Sequence, residues 1–111
     1  MVLIDTSAWV EYIGGRNSAI CQKIDKALAD EVVVIGDLIY CEVLQGVYNA
    51  KARERVRDLL LALPQFDMVG FEMAEKASAN YRALREAGVT IRKTIDVIIG
   101  TFCAEHAIRL I

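Results

Sequence analysis

Three acidic residues interrupt apolar stretches of the chain, where a carboxylate is unfavourable unless it has a partner. Asp5 directly follows the apolar run 2–4, Glu42 lies within an otherwise apolar helical stretch, and Asp96 precedes three apolar residues. Clustered carboxylates repel one another unless a cation neutralises them. A set of acids without histidine suits Mg²⁺ or Mn²⁺ better than zinc. The three acids are therefore candidate ligands of Mg²⁺, with Mn²⁺ as the alternative ion.

Each acid also has a purely structural interpretation. Asp5 could cap the first helix, and Glu42 could be an ordinary solvated helix residue. Asp96 lies in the first turn of a predicted helix, where the helix dipole favours an acid. The metal hypothesis depends on the three residues in combination.

Helix and strand signals alternate along the chain and predict the elements that must position these acids. Strands are predicted at 2–4, 32–35 and, more weakly, 66–69, and a last strand begins within 107–111. The helices are predicted to begin at a cap (Thr6 or Ser7, Asn17 or Ser18, Asp37, Thr94), to include 51–63 before Pro64, and to include 71–87 before Gly88.

This order predicts an α/β fold with a mostly parallel sheet of four to five strands, flanked by helices on both faces. Asp5 then lies at the carboxyl end of a central strand, which is where open α/β sheets bind their ligands. The length of 111 residues predicts a single domain over 1–111.

Composition narrows the functional classes. The longest apolar runs are too short to cross a bilayer, and an acid at position 5 without a cleavage site is unlike a signal peptide. The net charge of −2 provides no general attraction to nucleic acid, so such binding needs a local patch. A hydrophobic content of 55% predicts a partner surface. The three cysteines, Cys21, Cys41 and Cys103, are interpreted as reduced, buried thiols of a cytoplasmic protein.

Three short motifs resemble those of one known family. Residues 2–10, VLIDTSAWV, resemble the opening motif of PIN-domain ribonucleases, specifically the VapC toxins of bacterial toxin–antitoxin pairs. Residues 42–46, EVLQG, resemble the second motif, an acid followed four residues later by glycine. Residues 92–100, RKTIDVIIG, resemble the third. The resemblance covers nearly the whole chain in order and spacing.

The resemblance implies a PIN domain that hydrolyses RNA phosphodiester bonds with Mg²⁺, forms a homodimer and is held inactive by a cognate antitoxin. Asp5, Glu42 and Asp96 match the metal-binding acids of the family. Thr6 matches the position whose hydroxyl supports that site, and Ser7 is a weaker candidate. The family has a further acid after the last strand, and the sequence ends before any such segment. Either the site works with three acids or, as we expect, the C-terminal end of the domain lies outside residues 1–111.

Other polar and aromatic residues have less specific interpretations. Arg92 and Lys93 precede the predicted Thr94 cap and could bind substrate phosphates or form a solvated loop pair. Tyr40 and Tyr48 flank Glu42 and could stack on bases, although packing in a core or interface is favoured. Trp9 is predicted in the core, His106 is predicted to be structural, and the basic run 51–57 is interpreted as a solvated helix face.

Two further functions compete with the nuclease. One is a non-catalytic PIN-like interaction module. The other is a receiver-like signalling domain that binds Mg²⁺, which needs paired acids after the first strand and an aspartate that ends the third. Asp5 has no acidic neighbour and Asp67 is followed by Met68, so the sequence favours the nuclease.

Overall fold

The computed structural model describes all residues, Met1–Ile111, and has the predicted α/β composition. The strands are β1 (Val2–Leu3), β2 (Val33–Gly36), β3 (Gln65–Phe66) and β4 (Arg109–Leu110). The helices are α1 (Thr6–Ile13), α2 (Ala19–Asp30), α3 (Asp37–Gln45), α4 (Ala50–Leu61), α5 (Phe71–Glu86) and α6 (Thr94–Glu105).

The chain divides into two compact units. Met1–Phe66 and Arg109–Ile111 form the first, which we call the sheet unit. Asp67–Ile108 forms the second, which we call the helical unit.

The sheet unit contains all four strands in the order β3-β2-β1-β4, and every pairing is parallel. Val2 of β1 pairs with Val33 on one side and Arg109 on the other, so β1 is central as predicted. Both residues of β1 and all four of β2 are buried, as expected for unalternating apolar runs in a parallel sheet. The presence of helices on both faces stays a prediction.

Helix packing in the sheet unit places α1 against α2 and α3, and α3 against α4 and β2. Trp9 of α1 is fully buried, which confirms its predicted core position. Its indole Nε1 is also buried and has no hydrogen-bond partner.

The helical unit is an α5–α6 pair joined by a short loop. Helix α5 ends as predicted at Gly88, whose φ of +84° favours glycine. The Gly88 N–H donates to the Arg85 carbonyl (3.0 Å) and the Val89 N–H to the Leu84 carbonyl (2.9 Å). These two bonds form a Schellman ending that redirects the chain towards α6.

Three of the predicted helix caps are wrong. Helices α1, α3 and α6 begin at Thr6, Asp37 and Thr94 themselves, and the preceding residues make no side-chain cap bond. Asp5 occupies the N-cap position of α1, but its side chain makes no cap hydrogen bond. Ser18 is a true cap, since its Oγ accepts from the Cys21 N–H at 3.2 Å.

The cysteine prediction is correct for two residues and wrong for the third. Cys21 and Cys103 are buried, whereas Cys41 is exposed on α3. None of the helices is long and apolar enough to cross a membrane.

Candidate active site

Asp5 lies where β1 ends, at the carboxyl edge of the sheet. Its backbone N–H donates to the Ile111 carbonyl (2.9 Å), which joins the ends of β1 and β4 at this point. The Asp5 side chain is half-buried and has no hydrogen bond or salt bridge. A half-buried carboxylate that no protein group pairs with has both oxygens available to a ligand. The position is therefore suited to a bound cation.

Glu42 is held by a hydrogen bond from the first motif. The Thr6 hydroxyl donates to Glu42 Oε1 at 2.7 Å across 36 residues of sequence. Glu42 is half-buried beside Val43, so it is not the fully solvated residue of the structural interpretation. This bond explains why Thr6 does not cap α1, because its hydroxyl is directed to α3 instead. Fixing one carboxylate oxygen leaves the other free to bind a ligand.

Ser7 occupies a different environment from Thr6. With Asp5, Glu11 and Arg16, it lines a cavity of about 660 Å³ in the sheet unit. Glu11 accepts a hydrogen bond from the Ser18 hydroxyl at 3.1 Å, whereas Arg16 has no ion-pair partner. Of the two candidate hydroxyls, Thr6 is therefore the one that contacts an acid of the predicted set.

Asp96 lies in the helical unit, in the first turn of α6. It is exposed and has no hydrogen bond or salt bridge. With Arg92 it lines a cleft of about 710 Å³ between α5, α6 and their connecting loop, which we call the α5–α6 cleft. Lys93 occupies the N-cap position of α6 and does not line this cleft.

The chemistry of the donors fits a hard divalent cation. Asp5 and Glu42 supply only carboxylate oxygens, neither is neutralised by a basic side chain, and Thr6 fixes one of them. No group of three or more His, Cys, Asp or Glu side chains is arranged to hold a metal ion. The full set of three acids stays a prediction.

The remaining sequence interpretations have mixed outcomes. His106 Nδ1 lies 3.0 Å from the Phe102 carbonyl and its ring stacks on Phe102, as suits a structural residue. The basic residues of α4 are exposed, which confirms the solvated face. Tyr40 is half-buried, but Tyr48 is 90% exposed, so core packing is wrong for Tyr48.

Sequence reasoning missed the polar arrangement beside Asp96. Asn80 Nδ2 donates to Thr101 Oγ1 at 3.0 Å, and the Thr101 hydroxyl donates to the Val97 carbonyl at 2.7 Å. Thr101 is only 3% exposed. The available signal was a threonine within the apolar run 97–103, directly after Gly100.

Comparison with known proteins assigns the family. The sequence profile of the PIN domain matches residues 2–111. The chain belongs to the PIN-domain family. It is 31% identical over 113 residues to VapC ribonuclease Mb1587 of Mycobacterium bovis and to ribonuclease VapC11 of Mycobacterium tuberculosis. Each alignment covers the whole of this chain and 84% of the relative. The resemblance of the three motifs to VapC proteins is thereby confirmed.

Two solved structures share the fold of this chain. VapBC2 from Rickettsia felis, bound to a promoter DNA fragment, is similar with a TM-score of 0.78 and 15% identity, covering 99% of this chain and 85% of that one. A toxin–antitoxin complex from Klebsiella pneumoniae gives a TM-score of 0.75 and 20% identity, covering 99% and 83%. Family membership removes the receiver-like alternative.

Proposed function

We propose that this PIN-domain protein is a Mg²⁺-dependent endoribonuclease that acts as the toxin of a toxin–antitoxin pair. The PIN-domain match and the VapC ribonucleases that align with the entire chain support this function. The structural observation that carries it is the 2.7 Å hydrogen bond between Thr6 and Glu42. This bond joins the first and second motifs, which a shared active site requires.

In this proposal Asp5, Glu42 and Asp96 hold Mg²⁺, with Mn²⁺ as the alternative. A bound divalent cation polarises the phosphodiester and favours ionisation of an attacking water. Thr6 holds the Glu42 carboxylate in one orientation, so that its free oxygen needs little reorganisation to bind the ion. One of the acids accepts the proton that the attacking water loses.

Arg92 and Lys93 are proposed to bind RNA phosphates beside Asp96. Both are exposed and neither forms a salt bridge, so their charges are available to a ligand. They immediately precede α6, whose N-terminal N–H groups also favour an anion. This local pair supplies the positive charge that the net charge of −2 does not.

We also propose that residues 1–111 belong to a single PIN domain, that a cognate antitoxin binds the protein, and that the protein forms a homodimer in the cytoplasm. Exposed aromatic residues support a partner surface, because Tyr48 is 90% and Phe71 96% exposed. Aromatic side chains are enriched where proteins bind one another.

The decisive experiment is cleavage of a panel of structured RNAs in Mg²⁺ or Mn²⁺ by the wild type, Asp5→Asn and Asp58→Asn. We expect Asp5→Asn to lose more than about a hundredfold in rate, because changes to groups that merely orient metal ligands already cost about 10- to 100-fold. Asp58 is an exposed residue of α4 and serves as the matched control. A chelator should abolish cleavage by the wild type.

Full activity of Asp5→Asn under controlled metal would contradict the proposed site. A folded, antitoxin-free wild type that cleaves no RNA would contradict the enzyme and favour the non-catalytic module.

A further inference from the structure

The α5–α6 cleft has a volume and a lining that the proposed role of Asp96 in metal binding does not explain. Its volume of about 710 Å³ lies within the range of about 300–1,000 Å³ that is typical of small-ligand sites. Its lining is largely apolar and includes Leu84, Ile91 and Val97. Two groups suited to recognition, the Asn80 amide and the Arg92 guanidinium, line the same space. An apolar wall with a few polar groups is the usual composition of a ligand site.

The Asn80 amide has a defined orientation. The Thr101 hydroxyl has one proton, which it donates to the Val97 carbonyl, so towards Asn80 it can only accept. The contact at 3.0 Å is therefore made by the Asn80 NH₂ group. Because Thr101 is buried while Asn80 is exposed, the Asn80 Oδ1 and second N–H remain accessible. They offer one acceptor and one donor to a ligand.

Gly100 leaves the cleft open at α6. A Cβ added at Gly100 would meet no atom within 4 Å. Gly100 follows Asp96 by four residues, so the two lie one turn apart on the same face of α6. The open space is therefore adjacent to the acid that the proposed function assigns to metal binding.

We propose that the α5–α6 cleft binds a nucleobase of the RNA strand next to the phosphodiester that is cleaved, and that Asn80 recognises its edge. This inference rests on the proposed function. The apolar lining contacts the faces of the base, and the Asn80 acceptor–donor pair matches a donor–acceptor pair on a base edge. Arg92 binds the adjoining phosphate.

The polar groups favour a base over an apolar side chain of a protein partner. An apolar side chain in the cleft would exclude water from the oriented Asn80 amide without replacing its hydrogen bonds, and unpaired polar groups are costly. A base offers both the flat apolar faces and the polar edge. Recognition of unpaired bases is also the usual way in which proteins read RNA sequence.

The most direct test fills the cleft with Gly100→Leu. Leucine is a better helix former than glycine and its Cβ meets no protein atom, so we expect the fold to be retained. Binding of fluorescent single-stranded RNA 12-mers of A, C, G or U is measured by anisotropy in chelator, where no cleavage occurs. We expect Gly100→Leu to weaken binding of the preferred 12-mer at least about tenfold. Ser78→Ala, outside the cleft, should bind like the wild type.

The second test concerns the role of Asn80. Asn80→Asp replaces the donor with an acceptor, so we expect cleavage at the preferred base to fall about tenfold or more while other bases are affected less. Ser78→Ala, an exposed change on the same helix outside the cleft, is the control. Sequencing of the cleaved ends gives the base preference at each position around the cut.

The outcomes separate this inference from the proposed function. If the wild type cleaves RNA but Gly100→Leu and Asn80→Asp bind and cut the same sequences equally well, the base site is wrong and the nuclease stands. If Gly100→Leu changes only self-association or antitoxin binding, a protein occupies the cleft and the base site is again wrong. If the wild type binds the 12-mers through the cleft without cleaving RNA, the nuclease is wrong and the base site stands. A wild type that neither binds nor cleaves contradicts both.

Discussion

The sheet unit and the helical unit hold their polar residues in different ways. In the sheet unit, a hydrogen bond across 36 residues fixes Glu42 to Thr6, and the Asp5 backbone is tied to Ile111 of the parallel sheet. In the helical unit, Asp96 and Asn80 are exposed on neighbouring helices beside an open cleft. The first arrangement suits chemistry, which needs groups held in one geometry. In the second, the open cleft beside Asn80 suits recognition of a ligand that must enter.

The two units also differ in how many of their residues are buried. Every residue of β1 and β2 is buried in the sheet unit. Helix α5 has 16 residues, of which only Ala77 is buried. Most positions of α5 can therefore be substituted with little effect on packing. Substitutions in the buried strands β1 and β2 disturb the core of the sheet unit. In the proposed base site, specificity could therefore vary at α5 without loss of the fold.

The largest effect on stability is expected at the core of the sheet unit. Trp9→Ala should lower the free energy of unfolding by about 3–5 kcal/mol, because it removes a fully buried aromatic side chain and leaves a cavity. Leu84→Ala at the cleft should cost about 0.5 kcal/mol, since Leu84 is already 38% exposed. Urea unfolding followed by far-ultraviolet circular dichroism measures both variants.

Equal destabilisation by Trp9→Ala and Leu84→Ala would contradict the difference in burial between the two units, because it would make the cleft part of a closed core. Trp9→Phe separates the contribution of packing from that of the buried N–H. The Trp9 indole N–H has no partner, so its removal should offset part of the lost packing and Trp9→Phe should cost much less than Trp9→Ala.

The sequence contains enough information for the sheet but not for the helix starts. Apolar runs such as 2–4 and 32–35 predict buried strands to within a residue, because a parallel strand in a covered sheet needs no alternation. The predicted caps of α1, α3 and α6 are wrong by one position. Thr6, Asp37 and Thr94 have side chains suited to capping, but each is the first residue of its helix and not the residue before it. For Thr6 the reason is its contact with Glu42, which no local pattern contains.

The candidate site also has one part that the sequence predicts and one part that it does not. Asp5 and Glu42 could be selected because each interrupts an apolar stretch, and the structure explains the orientation of Glu42 through Thr6. The cleft at Asn80 could not be predicted, because it depends on the space between two helices and on the buried hydroxyl of Thr101. The position of a residue in the sequence does not indicate how much open space surrounds it in the fold.

A change at Thr6 tests whether the sheet unit orients its acids. Thr6→Val keeps the size of the side chain but removes the donor to Glu42. We expect RNA cleavage to fall about 10- to 100-fold, with a higher Mg²⁺ concentration needed for half-maximal rate, because the carboxylate loses its fixed orientation. Thr6→Ser keeps the hydroxyl and should restore most of the rate.

Equal activity of Thr6→Val and Thr6→Ser would mean that Glu42 needs no orientation from α1. Measuring the Mg²⁺ dependence distinguishes the expected loss of Glu42 orientation from a general loss of fold, since a partly unfolded variant loses rate at every metal concentration. The exposed neighbour Ser7 provides the control, and Ser7→Ala should leave the Mg²⁺ dependence unchanged.

The smallest effect is expected at Tyr12, whose hydroxyl donates to Asp25 Oδ1 at 2.7 Å and links α1 to α2. This hydrogen bond, together with partial burial, raises the pKa of Tyr12 above its ordinary value of 10.0. Tyr12→Phe should therefore cost about 0.5–1 kcal/mol at pH 7. Because the folded pKa is the higher one, the contribution is complete below pH 10 and is lost as the pH rises through the folded pKa.

Urea unfolding from pH 7 to about pH 11 measures this loss. The gap in free energy of unfolding between the wild type and Tyr12→Phe should close at the alkaline end. For Tyr48→Phe, at a side chain that is 90% exposed, we expect no gap at any pH. A Tyr12→Phe gap that persists at high pH would mean that packing of α1 on α2, and not the hydrogen bond, accounts for the contribution of Tyr12.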